Sequence, residues 1–422
     1  MSGVLAELKW RGLVHAATPG LEEHLERQRP VTAYCGFDPT AASLQLGNLV
    51  PLMLLEHLQR GGHRPIVLMG GGTGLIGDPS GKRSERPLLA PEALVANLER
   101  QRTQMARFLD FSADRARLMN NADWLVPERL VDFLRTVGKH FTINIMLQKE
   151  SVKARLEEGL SFTEFSYMLL QAYDYLQLFD RERCTLQVGG SDQWGNITAG
   201  VDLVRRVRSA DVHGLVAPLI TTASGAKFGK SEAGAIYLDP ALTSPYAFYQ
   251  FWVNTDDRDV AAYLRLFSQR PKDGPDGIDA LLQAHERQPA KREAQHALAR
   301  EMTERVHDPT VARSVVEASA ILFSDWDPHH ATAQVFDVLA QEMPPTVVPR
   351  RDLALVDALV AAGLVKSKGE ARRQIEQGGI YVNQQRETAA DRVLGEADWL
   401  AGGNLLMRKG KKDYALLRVG PA

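Results

Sequence analysis

Three polar side chains share one face of an otherwise apolar, helix-forming stretch. Tyr167, Gln171 and Asp174 are spaced i, i+4 and i+7, which places a phenol, an amide and a carboxylate on the same side of the predicted helix. Such a face could line a polar pocket for a small ligand, because each group can donate or accept hydrogen bonds. It could also be the solvent-facing stripe of a surface helix, and the spacing alone leaves both readings open.

A second candidate is a pair of lysines in the stretch KFGKS. Lys227 and Lys230 flank a glycine, a pattern that favours a mobile cationic loop. Fixed cations are most effective where negative charge develops, as at a phosphoryl centre from which pyrophosphate departs. A basic loop by itself is usually just solvated, so the pair becomes informative only together with the motifs that precede it.

Three predicted strands end in glycine-bearing turns. The first, residues 31–37, runs into GFDPT and then QLGN, which opens an apolar helix; the second, RPIVLM, ends in GGGTG; the third, TLQV, ends in GGSD. Glycines let a backbone approach a nucleotide closely, and the N-terminus of a helix attracts phosphate. In the third turn, Asp192 could take ribose hydroxyls.

These motifs need a scaffold, and the hydrophobic pattern predicts one. Short apolar runs alternate with longer amphipathic stretches up to about residue 220, as in a parallel α/β sheet. A mainly helical stretch between the second and third strands would be an insertion that splits the sheet, and a proline-rich break later in the chain indicates a linker. We predict a catalytic α/β unit at 1–222 with a helical insertion at about 90–180, a helical unit at 223–342, a linker at 343–350 and a small α+β domain at 351–422.

Composition indicates an ordinary globular protein. Apolar residues make up 44% of the 422 residues and charged residues 24%. No run approaches the roughly 20 apolar residues that span a membrane, and the N-terminus lacks the apolar centre of a signal peptide. The only cysteines, Cys35 and Cys184, exclude a disulfide framework and a four-cysteine zinc site. We therefore expect a cytoplasmic protein with neither zinc nor a membrane partner.

The net charge of −2 hides an asymmetry. Residues 350–422 hold 13 Lys and Arg against 9 Asp and Glu, so this segment carries +4 and the rest of the chain −6. A solvated charged tail would look similar, but this segment also has helical periodicity and regular glycines. A small basic domain joined to a larger acidic domain is the charge distribution expected when the small domain binds RNA.

Together these motifs resemble those of class I aminoacyl-tRNA synthetases, specifically the bacterial-type tyrosyl-tRNA synthetases. Residues 34–49 resemble the first class I signature, and KFGKS, about 180 residues later, resembles the second. The run VGGSDQWGNI at 188–197 is similar to the tyrosyl and tryptophanyl branch, and residues 353–383 resemble an S4-type RNA-binding domain. The resemblance spans nearly the whole chain. It implies a Rossmann-like catalytic domain, a helical anticodon-side domain and an S4-like domain, in a homodimer.

The resemblance also implies substrates and residue roles. The substrates would be L-tyrosine, ATP with Mg²⁺ on its phosphates, and tRNA(Tyr). Tyr34 and Asp174 would hydrogen-bond the tyrosine phenol, and phenylalanine would leave these desolvated groups unpaired. The implied tyrosine-binding residues are Tyr34, Asp78, Tyr167, Gln171, Asp174 and Gln193. The implied ATP-binding residues are Cys35, Gly36, Asp38, Gly47, Gly190, Asp192 and Lys230, and the implied catalytic residues are Thr40, Gln45, Asn48, Lys82, Arg86, Lys227 and Lys230.

The glycine-rich segment GLIGDPSGKRSERP, residues 74–87, is similar to a phosphate-binding P-loop, but its spacing does not match one. A P-loop needs four residues between its first glycine and Gly-Lys, then Ser or Thr; here Gly77 leaves three before Gly81, and Arg83 follows Lys82. The resemblance to tyrosyl-tRNA synthetases instead implies that Lys82 and Arg86 bind the departing pyrophosphate.

The first signature departs from the family pattern where a histidine usually stands. Gln45 can donate a hydrogen bond but cannot carry positive charge, and charge-assisted bonds to phosphate are about twice as strong as neutral ones. Asn48 also replaces a histidine of the family pattern, but its amide NH₂ can take the place of one imidazole N–H donor. Three readings follow: a working enzyme with slower activation, which we favour; a specialised second copy; or a crippled enzyme. Against the last, five other phosphate-side groups are retained: Thr40, Lys82, Arg86, Lys227 and Lys230.

Two further functions fit the same sequence. An RNA-binding protein could keep a synthetase body without aminoacylation, although the intact KFGKS and the pair Tyr34 and Asp174 speak against it. An enzyme for a tyrosine analogue is also open, because the sequence does not fix the volume of the amino-acid pocket.

Overall fold

The computed structural model describes most of the chain, namely residues 3–80, 90–149, 152–153, 159–231, 234–324 and 326–420. Contacts between residues divide it into two compact units. The first contains Met1–Asp239 and Thr255–Leu298, and the second contains Pro240–Asn254 and Ala299–Ala422. This division differs from the predicted domain boundaries at 222 and 342, which stay a prediction.

The helices and strands follow one another in an α/β order through the first half of the chain. The α-helices are α1 (Val4–Trp10), α2 (Leu21–Arg27), α3 (Leu49–Arg60), α4 (Pro91–Met105), α5 (Ala122–Leu125), α6 (Leu130–Thr136), α7 (Ile143–Leu147), α8 (Phe162–Glu182), α9 (Trp194–Arg208), α10 (Pro245–Val253), α11 (Asp257–Phe267), α12 (Ile278–Arg287), α13 (Glu293–Val306), α14 (Pro309–Phe323), α15 (Ala333–Glu342), α16 (Leu355–Ala361) and α17 (Lys368–Glu376). The strands are β1 (Ala16–Ala17), β2 (Thr32–Phe37), β3 (Arg64–Met69), β4 (Arg117–Asn120), β5 (Cys184–Gly190), β6 (His213–Ala217), β7 (Lys230–Ser231), β8 (Gly234–Ala235), β9 (Thr346–Val348), β10 (Ile380–Val382), β11 (Gln385–Glu387), β12 (Asn404–Lys409) and β13 (Asp413–Val419).

The first unit is built on a six-stranded sheet with the order β1-β6-β5-β2-β3-β4. Strands β2 to β6 are parallel, and β1 is antiparallel to β6. The predicted parallel α/β fold is confirmed. The chain proceeds from β2 towards β4 on one side and from β5 to β6 on the other, so the connections diverge between β2 and β5. In open α/β sheets, ligands bind beyond the carboxyl ends of the strands at such a point.

Strands β1, β4 and β6 of this sheet were not among the predicted strands. The stretch predicted to be a mainly helical insertion contains β4, which pairs in parallel with β3 and places Leu68 opposite Met119. Its four residues are only partly buried or exposed, as befits a short edge strand. It lacks the continuous apolar run by which buried parallel strands are recognised in a sequence.

The helix that carries the predicted polar face is α8. The hydroxyl of Ser161 accepts a hydrogen bond from the backbone N–H of Glu164 and so caps its N-terminus. Directly after the helix, the left-handed backbone of Arg183 (φ 53°) turns the chain into β5. Most of its apolar side chains are buried in the same core cluster as those of α9. The cap and this packing together fix the rotation of α8, and with it the direction of its polar side chains.

The second unit contains a five-stranded sheet in the order β11-β10-β12-β13-β9. Strand β9 is parallel to β13, and the other neighbours are antiparallel. Leu355 and Leu359 of α16 and Ile375 of α17 pack with buried strand residues in one hydrophobic cluster. Within the described parts of both units, no helix is long and apolar enough to cross a membrane.

Candidate active site

Asp174 lies at the base of a polar cluster near the carboxyl ends of the strands. The residue is 2% exposed, and its carboxylate accepts hydrogen bonds from the indole nitrogen of Trp124 (2.7 Å) and from Nδ2 of Asn121 (3.0 Å). Burial raises the pKa of Asp174 to about 7, because the loss of water outweighs the two donors that favour the charged form. The two hydrogen bonds thus hold the carboxylate in one orientation, but they compensate only part of the cost of burying its charge.

Tyr34, on β2, presents a buried hydroxyl near this carboxylate. Its ring packs edge-on against Tyr175, with the centroids 5.2 Å apart, and the residue is 1% exposed. The hydroxyl has no hydrogen-bond partner among the described residues. Burial raises the pKa of Tyr34, and the charge of Asp174 raises it further. An unpaired buried hydroxyl is costly, and a ligand hydroxyl could satisfy it.

A second group of contacts centres on Asp38, directly after β2. Its two carboxylate oxygens accept hydrogen bonds from Thr73 Oγ1 (2.7 Å) and from the Tyr167 hydroxyl (2.9 Å). Asn121 joins this group to the first, because its Nδ2 also donates to Thr73 Oγ1 at 2.9 Å. A continuous polar network therefore runs from Tyr167 to Asp174, and it includes the ends of β2, β3 and β4.

A third group connects α8 to the turn after β5. Gln193 Nε2 donates to Asp78 at 2.7 Å, and Asn196 Nδ2 donates to Gln171 Oε1 at 2.9 Å. The other oxygen of Asp78 accepts from the backbone N–H of Ser80. With Tyr167 and Asp174 buried and Gln171 bonded here, the polar face of α8 lines this cluster and is not a solvent-facing stripe.

The cluster carries an excess of negative charge. Asp38, Asp78, Asp174 and Asp192 all belong to it, and burial followed by repulsion from Asp78 raises the pKa of Asp192. The charge of Asp38 likewise contributes to the raised pKa of Asp174. Carboxylates that repel one another in a partly dry site favour a bound cation such as an ammonium group.

The two predicted signatures, far apart in sequence, lie against each other. Ile236 donates its backbone N–H to the carbonyl of Gly229 (2.9 Å) and accepts from the N–H of Leu46 (3.1 Å). Gly229 has φ +78°, and a Cβ there would stand 3.0 Å from Cβ of Leu46. The glycine of KFGKS is therefore required both by its backbone conformation and by the close approach of the first signature.

At the first signature, the side-chain oxygen of Asn48 accepts a hydrogen bond from the backbone N–H of Gln45 (2.8 Å). This leaves the amide NH₂ of Asn48 as the group able to donate to a phosphate. Four of the predicted residues here are exposed to solvent: Gly36, Thr40, Gly47 and Asn48.

The predicted nucleotide-side residues have different environments. Lys227 and Lys230 are exposed, and the charge of Lys227 acts to lower the pKa of Asp192. Gly190 approaches Asp192 so closely that a Cβ would lie 2.5 Å from its Oδ1. Cys35 is 3% exposed, and burial raises the pKa of its thiol. Its implied contact with ATP stays a prediction. Lys82 and Arg86 lie outside the described residues.

Four contributing residues escaped the sequence analysis: Thr73, Asn121, Trp124 and Asn196. Asn121 directly follows β4, and Trp124 lies one helical turn later. Asn121 and Trp124 could have been predicted from their position at the carboxyl end of a parallel strand, but β4 itself was not predicted. Within the described residues, no group of three or more His, Cys, Asp or Glu side chains could hold a metal ion.

Comparison with known proteins agrees with this geometry. The model for "tRNA synthetases class I (W and Y)" matches residues 26–324, and the model for the "Tyrosine--tRNA ligase SYY-like C-terminal domain" matches residues 335–417. Tyrosine–tRNA ligase from Anaeromyxobacter dehalogenans is 53% identical over 99% of this chain and 100% of the relative. The ligase from Roseiflexus castenholzii is 51% identical over the same shares.

A solved structure shows the same similarity. It is that of a C-terminally truncated mitochondrial tyrosyl-tRNA synthetase from Coccidioides posadasii. It is 33% identical to this chain, has a TM-score of 0.66, and covers 75% of this chain and 92% of its own. On these matches, the chain belongs to the tyrosine–tRNA ligases within the class I tRNA synthetases.

Proposed function

We propose that this protein activates L-tyrosine with ATP and transfers the tyrosyl group to tRNA(Tyr). In the first step, a tyrosine carboxylate oxygen attacks the α-phosphorus of ATP, giving tyrosyl-adenylate and pyrophosphate. In the second, a hydroxyl of the terminal tRNA ribose displaces AMP and takes the tyrosyl group. The observation that carries the proposal is the Tyr34 hydroxyl, which has no partner among the described residues and lies beside Asp174. The buried carboxylate of Asp174 already receives two hydrogen bonds and can accept another from a phenol.

We assign the recognition of the phenol to these two residues. Asp174 would accept a hydrogen bond from the substrate hydroxyl, and Tyr34 would supply the second partner. Phenylalanine would leave both groups desolvated and unpaired, which is the physical basis for rejecting it.

The α-ammonium group of tyrosine would be held by the carboxylate-rich part of the cluster. Asp78, Tyr167 and Gln171 are the assigned contacts, with Gln193 near the substrate carboxylate. In support, Gln193 and Asp78 are already hydrogen-bonded at 2.7 Å, and the Asp38 carboxylate holds the Tyr167 hydroxyl. These contacts preorganise the side chains before the substrate arrives.

ATP would bind across the ends of β2 and β5. We assign the adenosine side to Cys35, Gly36, Asp38, Gly47, Gly190 and Asp192. Thr40, Gln45, Asn48, Lys82, Arg86, Lys227 and Lys230 would stabilise the phosphates. Mg²⁺ would arrive with ATP and neutralise phosphate charge, and we propose no role for zinc. Because fixed cations and hydrogen-bond donors would face the reacting phosphate in this assignment, catalysis would need no nucleophilic side chain.

We propose that tRNA is read partly by the basic C-terminal S4-like domain and that the protein works in the cytoplasm. The match of residues 335–417 to a tyrosine–tRNA ligase C-terminal domain supports the first assignment, as does the local charge of +4.

We also propose a homodimer that pairs through the surface of α6, α7 and the start of α8. Large apolar side chains stand exposed there, including Val131 at 74% and Phe162 at 79%. The others on these helices are Leu130, Leu134, Ile143 and Ile145, and Val126, shortly before α6, is exposed as well. Such a concentration of apolar side chains on an isolated chain marks an interaction surface.

The decisive test compares tyrosine, phenylalanine and ring-substituted tyrosines in amino-acid-dependent exchange of pyrophosphate into ATP, followed by charging of tRNA(Tyr). We expect exchange and charging with tyrosine and strong rejection of phenylalanine. Preference for a substituted tyrosine would favour the analogue enzyme. For the RNA-binding alternative, a thermal shift would show no stabilisation by tyrosine with ATP beyond that of either alone.

A further inference from the structure

Residues 220–228, which run into the start of the second signature, form a tight hairpin. Phe228 donates its backbone N–H to the Ile220 carbonyl at 3.2 Å, and Thr222 donates to the Ala226 carbonyl at 2.8 Å. Gly225, with φ +83°, occupies the turn. Lys227 is on the returning arm of this hairpin, so the position of this cation depends on where the hairpin is held.

The tip of the hairpin is attached to helix α11. The carboxylate of Asp259, in the first turn of α11, accepts a hydrogen bond of 2.9 Å from the backbone N–H of Ala223. These residues are 36 positions apart in the sequence. A hydrogen bond from a backbone amide to a charged acceptor is among the stronger ones available to a loop.

The base of the hairpin is attached to the same helix by aromatic packing. Phe228 is 4% exposed and stacks on Phe267, with centroids 5.2 Å apart and an angle of 16° between the planes. Tyr263 meets the Phe228 ring edge-on at 5.0 Å. Since Lys227 lies between these two attachments, α11 restricts its movement from both sides.

Helix α11 is itself fixed at both ends. Asp256 caps its N-terminus by accepting from the backbone N–H of Arg258 (2.9 Å). At the other end, the buried guanidinium of Arg11 donates to the carbonyls of Arg265 (2.9 Å) and Ser268 (2.7 Å). The helix is therefore a rigid support on which a loop can be positioned.

We propose that Asp259 is a positioning residue for amino-acid activation, because it holds the hairpin that places Lys227 beside the nucleotide. Asp259 touches neither substrate nor reacting atoms in this scheme and acts through Ala223 and the hairpin. The inference rests on the proposed function, in which Lys227 stabilises the phosphates. Small displacements of a charged group lower a rate steeply when its contribution is electrostatic preorganisation.

The test compares Asp259→Ala with Asp259→Asn in the full chain. Alanine removes the acceptor, whereas the asparagine side-chain oxygen can still accept from Ala223. We expect Asp259→Ala to lower kcat for tyrosine-dependent pyrophosphate exchange by about tenfold, with KM for tyrosine unchanged within about twofold. Asp259→Asn should recover most of the rate. Asp279→Ala removes a first-turn carboxylate from the neighbouring helix α12 and controls for loss of a helix-dipole charge.

Trypsin cleavage after Lys227 supplies a readout that does not depend on activity. Cleavage requires the hairpin to open locally, so Asp259→Ala should be cut faster than wild type while Asp259→Asn and Asp279→Ala are not. The inference is overturned if Asp259→Ala keeps wild-type kcat and cleavage, if asparagine restores neither, or if KM for tyrosine rises together with the loss of kcat. A wild-type protein without any tyrosine-dependent exchange would instead refute the proposed function, and the cleavage result would still decide whether Asp259 holds the hairpin.

Discussion

The indole nitrogen of Trp124 donates a 2.7 Å hydrogen bond to the buried carboxylate of Asp174. Trp124 lies on α5, and Asp174 is 50 residues later on α8. The bond orients the carboxylate and supports its charged form against the cost of burial. The amino-acid site proposed here therefore depends on a residue that would not itself contact the substrate.

Replacing Trp124 by phenylalanine should keep most of the apolar packing and remove this donor. We expect KM for tyrosine to rise by about tenfold, with a smaller change in kcat, because a hydrogen bond to a charged group contributes about 1.5 kcal/mol or more. Steady-state pyrophosphate exchange measures both constants. Trp326→Phe, in the second unit, is the matched control, and an unchanged KM in Trp124→Phe would contradict the assigned role.

The raised pKa of Asp174, about 7, predicts that tyrosine binding depends on pH. The phenol needs an accepting carboxylate, so affinity should fall as pH drops through about 7. Stability should move the other way: the folded pKa exceeds the unfolded value, so folded protein binds the extra proton and loses stability as pH rises from about 4 towards 7. Calorimetric titration of tyrosine and thermal melts across pH 5–8 test both trends. In Asp174→Asn, tyrosine affinity and stability should both depend less on pH. If tyrosine affinity kept its full pH dependence in this variant, another group would be responsible for it.

The hydroxyl of Tyr34, for which the described residues offer no partner, gives a mutation that should weaken binding without lowering stability. Tyr34→Phe removes a buried group without a described partner, so the free energy of unfolding should stay the same or increase by up to about 1 kcal/mol. Tyrosine affinity should nevertheless fall by about tenfold or less. Tyr175→Phe is the contrasting variant, because its hydroxyl donates to the His213 carbonyl at 2.7 Å and its loss should destabilise the fold. Urea denaturation and tyrosine titration would refute this account if Tyr34→Phe were the less stable of the two.

Position 45 should affect the speed of activation rather than the binding of tyrosine. Gln45→His introduces a side chain that can carry positive charge toward the phosphates, which we expect to raise the pyrophosphate-exchange rate by several-fold, with KM for tyrosine nearly constant. Exchange assays at saturating tyrosine and varied ATP measure this. An equal or lower rate in the histidine variant would show that position 45 does not stabilise the transition state.

The apolar surface on α6 to α8 predicts a dimer that one charge can disrupt. Val131→Asp would bury an unpaired carboxylate in the proposed interface, a change costing several kcal/mol, and should shift the protein from dimer to monomer in light scattering. Val95→Asp places the same charge on a Val that is 61% exposed on α4 and should leave the dimer intact. A wild-type monomer, or a Val131→Asp dimer of undiminished affinity, would refute the assigned interface.

Much of the architecture was readable from consecutive residues. The strands around RPIVLM and TLQV, the glycine turns that end them and the polar face of α8 all follow from local periodicity and backbone preference. These patterns predicted the parallel sheet and brought Asp174 forward as a candidate, whereas Tyr34 and Asp78 became candidates only through the resemblance to tyrosyl-tRNA synthetases. The edge strand β4 was missed because its four residues carry no apolar run, and Asn121 and Trp124 were missed with it.

The sequence by itself thus determined the family, the sheet and the types of side chain available for tyrosine and ATP. Only the tertiary structure decided that Trp124 and Asn121 hold Asp174, that the Tyr34 hydroxyl finds no partner in the described part of the chain, and that the two signatures meet at Gly229. Periodicity is encoded among neighbouring residues and can be read directly. Desolvation, orphaned hydroxyls and hydrogen bonds between distant segments arise only when those segments fold together and exclude water.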